Sequence, residues 1–512
     1  MSEDSRTRYD RVPFPGRPVP WATPSALSVA STAAGGPSLA ADEPLRVLEL
    51  GCGDGAHLLG LAAFRPQLRA VGLDDSEGAL AAARAQLDAL GMTNVELRRE
   101  DLATAVVEER GYDVVLAHGV YSWVDAERRD ALRRICAAAL RDGGLAYVSF
   151  NAQPGWSVRG RVRDLLVRGG ATVDDAAARL DAVRGLLPDE PRDAWSTMLL
   201  HEVERAGAAA PGYLAHEYLS PHNAAFWLGD VVADFADAGL TWCGDALFDR
   251  AEGYVPEPLR ELVDALGLDR VARAEHVDLR MYRQLHGLVF ARGEVGEPPS
   301  AGALMRTGWI AGALRRRSDP FDIRDGMPET FDGPPGREVQ VSSATTKMAL
   351  LLLADRYPVG TRLDDLYAQT REKLAENTFV AEPMEKLAAA LGRLHRETLL
   401  ELRHEDVALR VDVPERPEAL AITRYEVDHR DVLTTPTGSM LPIEPIDRAL
   451  VTQLDGSATL DAIADAVTDA VLDGTLALEG APAGAPRVRA MIINRLTSLT
   501  TLLGWWGLLD VP

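Results

Sequence analysis

The stretch Val47–Gly55, VLELGCGDG, constrains this chain more than any other. Leu45 to Leu50 is a short apolar run broken by Arg46 and Glu49, the pattern of a buried parallel strand. Gly51, Gly53 and Gly55 follow, spaced so that the main chain can turn sharply and a ligand can approach it. Ala56 to Phe64 has helical apolar spacing, which predicts a helix whose first amides point at whatever lies over the glycines. Strand, glycine loop and helix in that order predict a doubly wound, Rossmann-like α/β sheet.

The glycines alone do not choose the ligand, since Gly51, Gly53 and Ala56 also satisfy the dinucleotide spacing G-x-G-x-x-A. Three acids narrow the choice. Glu49, two residues before the first glycine, is out of place beside a pyrophosphate. It suits a cation such as the α-amino group and sulfonium of S-adenosylmethionine. Asp74 ends the next strand-like run, Arg69–Leu73, where a carboxylate can take both ribose hydroxyls. Asp101 follows a third run, Val95–Arg99, at the height of an adenine amino group, with Leu102 beside it. E-x-G-x-G-x-G with an acid after each of the next two strands resembles the class I S-adenosylmethionine-dependent methyltransferases. The resemblance implies S-adenosylmethionine as cofactor.

At 512 residues the chain is too long for one ordinary core. With 46% apolar residues and no run of eighteen, it reads as soluble and not membrane-spanning. Residues 1–30 lack a signal-peptide pattern. Three widely spaced cysteines and ten scattered histidines suggest neither a disulfide framework nor a metal site, so a cytoplasmic protein is expected. A net charge of −23 disfavours nucleic acid and would attract a cationic peptide or an amine.

Residues 1–44 carry Tyr9, Phe14 and Trp21 among Pro13, Pro15, Pro18, Pro20 and Pro24, which predicts an extended aromatic flap rather than a helix, closing over the cofactor. The sheet continues with helices Ala79–Leu90 and Arg128–Leu140, and with strands Asp113–Ala117 and Leu145–Phe150. Two loops after those strands, HGVYSW (His118–Trp123) and NAQPGW (Asn151–Trp156), fall at the carboxyl rim of the sheet. Their His118, Tyr121 and Asn151 are the candidate catalytic groups: Tyr121 to align an amine, His118 as a possible base. Trp123 and Trp156 are candidates for acceptor binding.

The same loops, with YDRVPF at residues 9–14 and HEYLSPHN at 216–223, resemble bacterial protein-lysine methyltransferases with a regulatory domain, of the rickettsial outer-membrane-protein type. The resemblance covers roughly residues 9–292. It implies that Tyr9 joins the cofactor site, and that His216 and Tyr218 join the acceptor site. The chain departs from the family in Phe14, where a tyrosine is usual, and in the GRPVPW that follows.

Four parts are expected: a flap (1–44), a methyltransferase domain (45–295), and winged-helix-like units at 296–410 and 411–512. A helical lid is inserted at about 158–221 of the second. Prolines and a basic run mark 294–332 as a boundary zone. Each of the last two parts reads as three helices and a strand. Leu460–Asp473 holds Asp461, Asp465, Asp469 and Asp473 and no base, so it points to polypeptide rather than DNA. On that reading residues 411–512 recognise the acceptor and leave cofactor binding alone.

The expected function is N-methylation of an amine on a protein or peptide: a lysine side chain or a terminal amine, including that of a ribosomally made precursor. The alternative is a small-molecule methyltransferase of secondary metabolism.

Overall fold

The computed structural model describes residues 14, 16–40, 43–172, 175–209, 211–247, 254–333, 337–407, 409, 412–478 and 484–510. Helix α1 (Pro24–Ala33) precedes the main sheet, whose first half is β1 (Arg46–Leu50), α2 (Ala56–Ala63), β2 (Arg69–Asp74), α3 (Glu77–Ala89) and β3 (Val95–Arg99). Then come β4 (Tyr112–Ala117), α4 (Ala126–Ala139) and β5 (Leu140–Ala152). After an insertion the sheet closes with β6 (Ala225–Phe226), α9 (Leu228–Asp237), β7 (Thr241–Asp245), α10 (Glu257–Asp264), α11 (Arg270–Met281) and β8 (Leu285–Ala291).

The strand order is β3-β2-β1-β4-β5-β8-β7. Strands β1 to β5 pair in parallel, whereas β8 runs antiparallel to both β5 and β7. Val47, Leu48 and Leu50 have no exposed surface, as a strand covered on both faces requires. The order reverses between β1 and β4, which opens a crevice at their carboxyl ends.

Helices α3 and α4 begin two residues earlier than the apolar spacing predicts. Ser76 and Asp125 each accept from the amide three residues on (3.2 and 2.9 Å), and such caps set the first turn. At the far end of the sheet His286 of β8 is buried between Asp245 (2.7 Å) and Asp278 (2.8 Å). Burial pulls its pKa down, but the two carboxylates outweigh that and raise it to about 9. The imidazolium ties the ends of β7 and α11 together beneath Phe150, the rim end of β5.

The insertion is helical, with α5 (Trp156–Arg168), α6 (Ala176–Gly185), α7 (Ala194–Gly207) and α8 (Pro211–Glu217) around an apolar core of its own. Buried Glu202 accepts from Tyr218 Oη (2.6 Å), from Arg159 Nε (3.2 Å) and from Arg205. Arg159 also donates to Gln284 (2.6 Å), which ties the insertion to the start of β8.

The N-terminal part departs from its sequence reading. Residues 24–33 form a helix, because Thr23 caps the Ala26 amide and Pro24 sits at its first position, where proline is at home. Leu27 and Ala30 pack against the main sheet while Val29 packs into the next core, so α1 is a strut between the two.

That next core includes α12 (Ala301–Leu304), β9 (Trp309–Ala311), the hairpin strands β10 (Arg315–Arg316), β11 (Glu329–Asp332) and β12 (Glu338–Val341), then α13 (Ala344–Arg356). It continues with β13 (Thr361–Arg362), α14 (Leu363–Glu376), α15 (Met384–Arg396) and β14 (Glu401–Arg403). The zone read as a boundary is thus structured, and β9 is the central strand between β13 and β14. Three residues are too few to show a period.

The last core holds α16 (Ala421–His429), the hairpin β15 (Val432–Thr434) and β16 (Met440–Pro442), α17 (Pro445–Val451), α18 (Leu460–Leu472) and α19 (Ala485–Trp505). The sequence reading missed α16 and the hairpin. The acids of α18 are partly matched internally: Arg489 bonds Asp461 (2.7 Å) and Asp465 (2.6 Å). Among the described residues no helix is long and apolar enough to cross a membrane.

Candidate active site

The crevice is built on the loop after β1. The amides of Gly51 and Cys52 both donate to Leu73 O, at 2.7 and 3.0 Å, so the end of β2 holds the start of the loop. Gly51 has φ +75° and Gly53 φ +55°, conformations that side chains resist. A Cβ on Gly51 would lie 2.5 Å from Val120 Cγ2, which closes that wall. Gly53 is the opposite case, since a Cβ there meets nothing within 4 Å and its backbone faces open space. Gly55 caps α2. Asp74 accepts from Gly53 N (2.8 Å) through one oxygen and from Ser76 N (2.9 Å) through the other. It shapes the loop from the neighbouring strand, while burial raises its pKa.

Glu49 lies 4% exposed on β1, and its Oε2 has no hydrogen-bond partner among the described residues. Burial, then the charges of Asp74 and Asp54, raise its pKa to about 8. An orphaned carboxyl oxygen surrounded by acids is a site for a cation. An ammonium or sulfonium centre fits it, and the open floor at Gly53 gives such a ligand room. These residues suit S-adenosylmethionine better than a pyrophosphate.

Asp101 is differently placed. Both its oxygens bind the guanidinium of Arg128 (Nε at 2.9 Å), and Oδ1 also accepts from Ala103 N (3.0 Å). Burial would raise its pKa, but these donors hold it below the ordinary range. Leu102 packs, partly buried, against the core beneath it.

At the rim, His118 after β4 meets two residues that the sequence reading did not join to it. His118 Nδ1 lies 2.9 Å from Tyr147 Oη, which also accepts from Trp21 Nε1 at 2.9 Å. An indole N–H can only donate, so Tyr147 Oη accepts from Trp21 and links it to the His118 ring. Burial lowers the pKa of His118 to about 4. His118 is therefore neutral and a poor base. This corrects the assignment made from sequence.

Tyr121 is also corrected. It has no exposed surface, and packs among Phe150, Phe226 and Phe235 with its hydroxyl donating to Asp234 (2.9 Å) and accepting from Arg133 (3.0 Å). It holds the sheet to α9 and cannot align an acceptor. Asn151 does lie at the end of β5, where its Nδ2 donates to Asn223 Oδ1 (3.2 Å) and its amide to Ser122 Oγ (2.8 Å). Asn223 in turn donates to Glu217 O (2.7 Å), joining the rim to the insertion.

Of the residues expected at the acceptor site, Tyr218 is buried in the Glu202 network and Trp156 is 3% exposed with Arg159 stacked on its ring. Both serve the packing of the insertion, because an aromatic beside a buried ion pair is drawn into the core. Trp123 is half-buried on the rim. His216 is buried with Phe14 edge-on against its ring, centroids 5.5 Å apart, so the N-terminal segment meets the insertion there. Tyr9 lies outside the described residues.

Three family profiles match in chain order. A methyltransferase domain covers residues 47–144, a predicted methyltransferase regulatory domain 210–291, and the PKMT C-terminal winged helix domain 415–501. An uncharacterized protein of Rickettsia prowazekii, RP789, is 25% identical over 56% of this chain and 53% of its own length. The chain thus spans about half of that relative. The release factor glutamine methyltransferase of Xylella fastidiosa is 31% identical over 28% of this chain and 60% of its own length. PKMT2 from Rickettsia typhi, solved with AdoHcy, superposes with TM-score 0.83 over 97% of this chain and 100% of that one. Its 19% identity makes this a likeness of fold. Profile, sheet order and loop agree: the chain carries a class I, S-adenosylmethionine-dependent methyltransferase domain, with a methyltransferase regulatory segment and a PKMT-type C-terminal winged helix behind it.

Proposed function

We propose that this protein methylates an amine nitrogen displayed by a protein or peptide. The observation that carries the reading is the PKMT-type winged helix domain joined to a cation-seeking cofactor loop in one chain. When bound, S-adenosylmethionine supplies an electrophilic methyl on its sulfonium. The chain has to bind, orient and keep water away. Glu49 balances the cationic end of the cofactor. Asp74 fixes the loop and would take the ribose hydroxyls. Neutral His118 stands at the rim, and Asn151 lines the side where the acceptor enters.

Neither His118 nor Tyr147 at the rim can take a proton from an ammonium at neutral pH. His118 is held neutral down to about 4, and the phenol of Tyr147 is raised far above its ordinary value by burial. The acceptor must arrive as the free amine. At pH 7 that costs a lysine, with pKa near 10.4, about 4–5 kcal/mol, and a terminal amine near 8 about 1 kcal/mol.

The pH profile of kcat/KM on two peptides, one with a lysine as its sole amine and one with a free terminus only, tests the reading. The lysine peptide should gain about tenfold per pH unit up to about pH 9, while the terminal-amine peptide should level off near pH 8. A profile flat from neutral to alkaline pH on both would show a site with its own base, or an acceptor that is not an amine, and would end the proposal.

A further inference from the structure

The sequence suggests that residues 411–512 leave cofactor binding alone, yet this unit reaches the glycine loop directly. Arg430, just past the end of α16, donates through one terminal nitrogen to Asp54 Oδ2 (3.1 Å) and to Gly16 O (2.9 Å), and through the other to Gln86 Oε1 of α3 (3.0 Å). Asp54 sits between Gly53 and Gly55. Its Oδ2 also accepts from Gly16 N (3.1 Å), and its Oδ1 from Ala56 N (3.1 Å) at the start of α2. The pair is mostly buried, with 10% of the Arg430 side chain and 21% of Asp54 exposed. One guanidinium thus joins the loop, the N-terminal segment and the helix after β2.

The same unit touches α2 twice more. Thr434 of the hairpin packs so closely on Gly60 that a Cβ there would lie 3.0 Å from its methyl. Thr434 is itself fixed by buried Glu426, which accepts from its amide (2.7 Å) and its hydroxyl. Past the end of α2, Arg65 donates to Pro436 O (3.3 Å) and pairs with Glu405. The helix that starts under the glycines is held at its start, middle and end.

We propose that Arg430 is a positioning residue for the cofactor loop, which makes the C-terminal unit a working part of the cofactor site. The proposal rests on the reading of this loop as the S-adenosylmethionine site. Arg430 acts through Asp54, the residue after the open position at Gly53, whose carboxylate holds the Ala56 amide at the start of α2 and the Gly16 amide of the N-terminal segment. By linkage, cofactor binding tightens the docking of the hairpin to the same degree that docking tightens the cofactor.

The test uses the full chain as wild type, Arg430→Ala, Arg430→Lys, Asp54→Asn and the Arg430→Ala/Asp54→Asn double variant. S-adenosylmethionine and S-adenosylhomocysteine are titrated into each by calorimetry. Arg430→Ala should raise both Kd values roughly tenfold, with Arg430→Lys between it and wild type. The double variant should be no weaker than its weaker parent, because both changes break one contact. At saturating cofactor, kcat and the acceptor KM should stay within about twofold, which a general loss of folding would not spare. Hydrogen exchange gives a second readout. Amides 51–56 should exchange faster in Arg430→Ala, and S-adenosylhomocysteine should slow exchange at 432–442 in the wild type.

Wild-type Kd values in Arg430→Ala with unchanged exchange at 51–56 would overturn the proposal. If Arg430→Ala does not fold, Arg430→Lys decides, and wild-type values there overturn it equally. A wild type that binds neither ligand would instead sink the methyltransferase reading beneath it.

Discussion

Replacing Asp74 by alanine should weaken S-adenosylmethionine binding by roughly 10- to 150-fold, the range for losing one partner of a charge-assisted hydrogen bond (about 1.5–3 kcal/mol). The upper end is expected, because Asp74 does two jobs. On the proposed reading it would take the ribose hydroxyls, and it holds the amides of Gly53 and Ser76 at 2.8 and 2.9 Å. Removing it leaves Gly53 with φ +55° and no side chain to fix it, so the floor of the site loosens as well. Asp74→Asn keeps one acceptor oxygen and should lose less. Calorimetric titration of the folded variants reads the effect directly. Wild-type affinity in Asp74→Ala would end the assignment of this loop to the cofactor.

The second large effect is a pH dependence. Without ligand, Glu49 has its pKa raised to about 8 by burial and by the charges of Asp74 and Asp54, so it is largely protonated at neutral pH. A bound cation favours the carboxylate, which lowers that pKa and releases a proton on binding. Affinity should therefore rise with pH, by up to about tenfold per unit between pH 6 and 8. Above that it should level off and then fall as the ligand's own α-amine, near 8, loses its charge. Glu49→Gln cannot titrate, so it should bind more weakly near pH 8 and lose the acid limb. Titrations in buffers of different ionisation enthalpy should also show proton release for the wild type only. Equal slopes in the two proteins would remove Glu49 from the cation site.

The parts legible in the sequence were those with strong local signals. Gly51 and Gly53 advertise themselves because left-handed backbone excludes side chains, and β1 because a strand covered on both faces is mostly apolar. Asp74 could be placed beside the glycine loop because it ends β2, and the carboxyl ends of neighbouring parallel strands lie together. Pro24 misled because proline breaks a helix in the middle but starts one after Thr23. Strands β9 and β15, of three residues each, carry no period to read.

The rim was harder because chain position does not say which way a side chain turns. Tyr121 follows β4 by four residues, yet it points under Phe150 and Phe226 into the core. The partners that define His118 come from elsewhere: Tyr147 from mid-β5, and Trp21 from a segment 126 residues away from Tyr147. Arg430 stands 376 residues from Asp54, and nothing local marks it as part of the site. Contacts of that range belong to the fold and not to any stretch of sequence.

The most direct measurement of the whole account is where the methyl goes. The full chain is incubated with isotopically labelled S-adenosylmethionine and a lysine-containing polypeptide, before and after acetylation of the polypeptide's amines. The modified residues are then mapped by mass spectrometry. Label should appear on amine nitrogen, in steps of one methyl group, abolished by acetylation and, at limiting S-adenosylmethionine, sharply reduced in Asp74→Ala. Label that survives acetylation, or that appears on carboxylate, hydroxyl or carbon, would contradict the proposal.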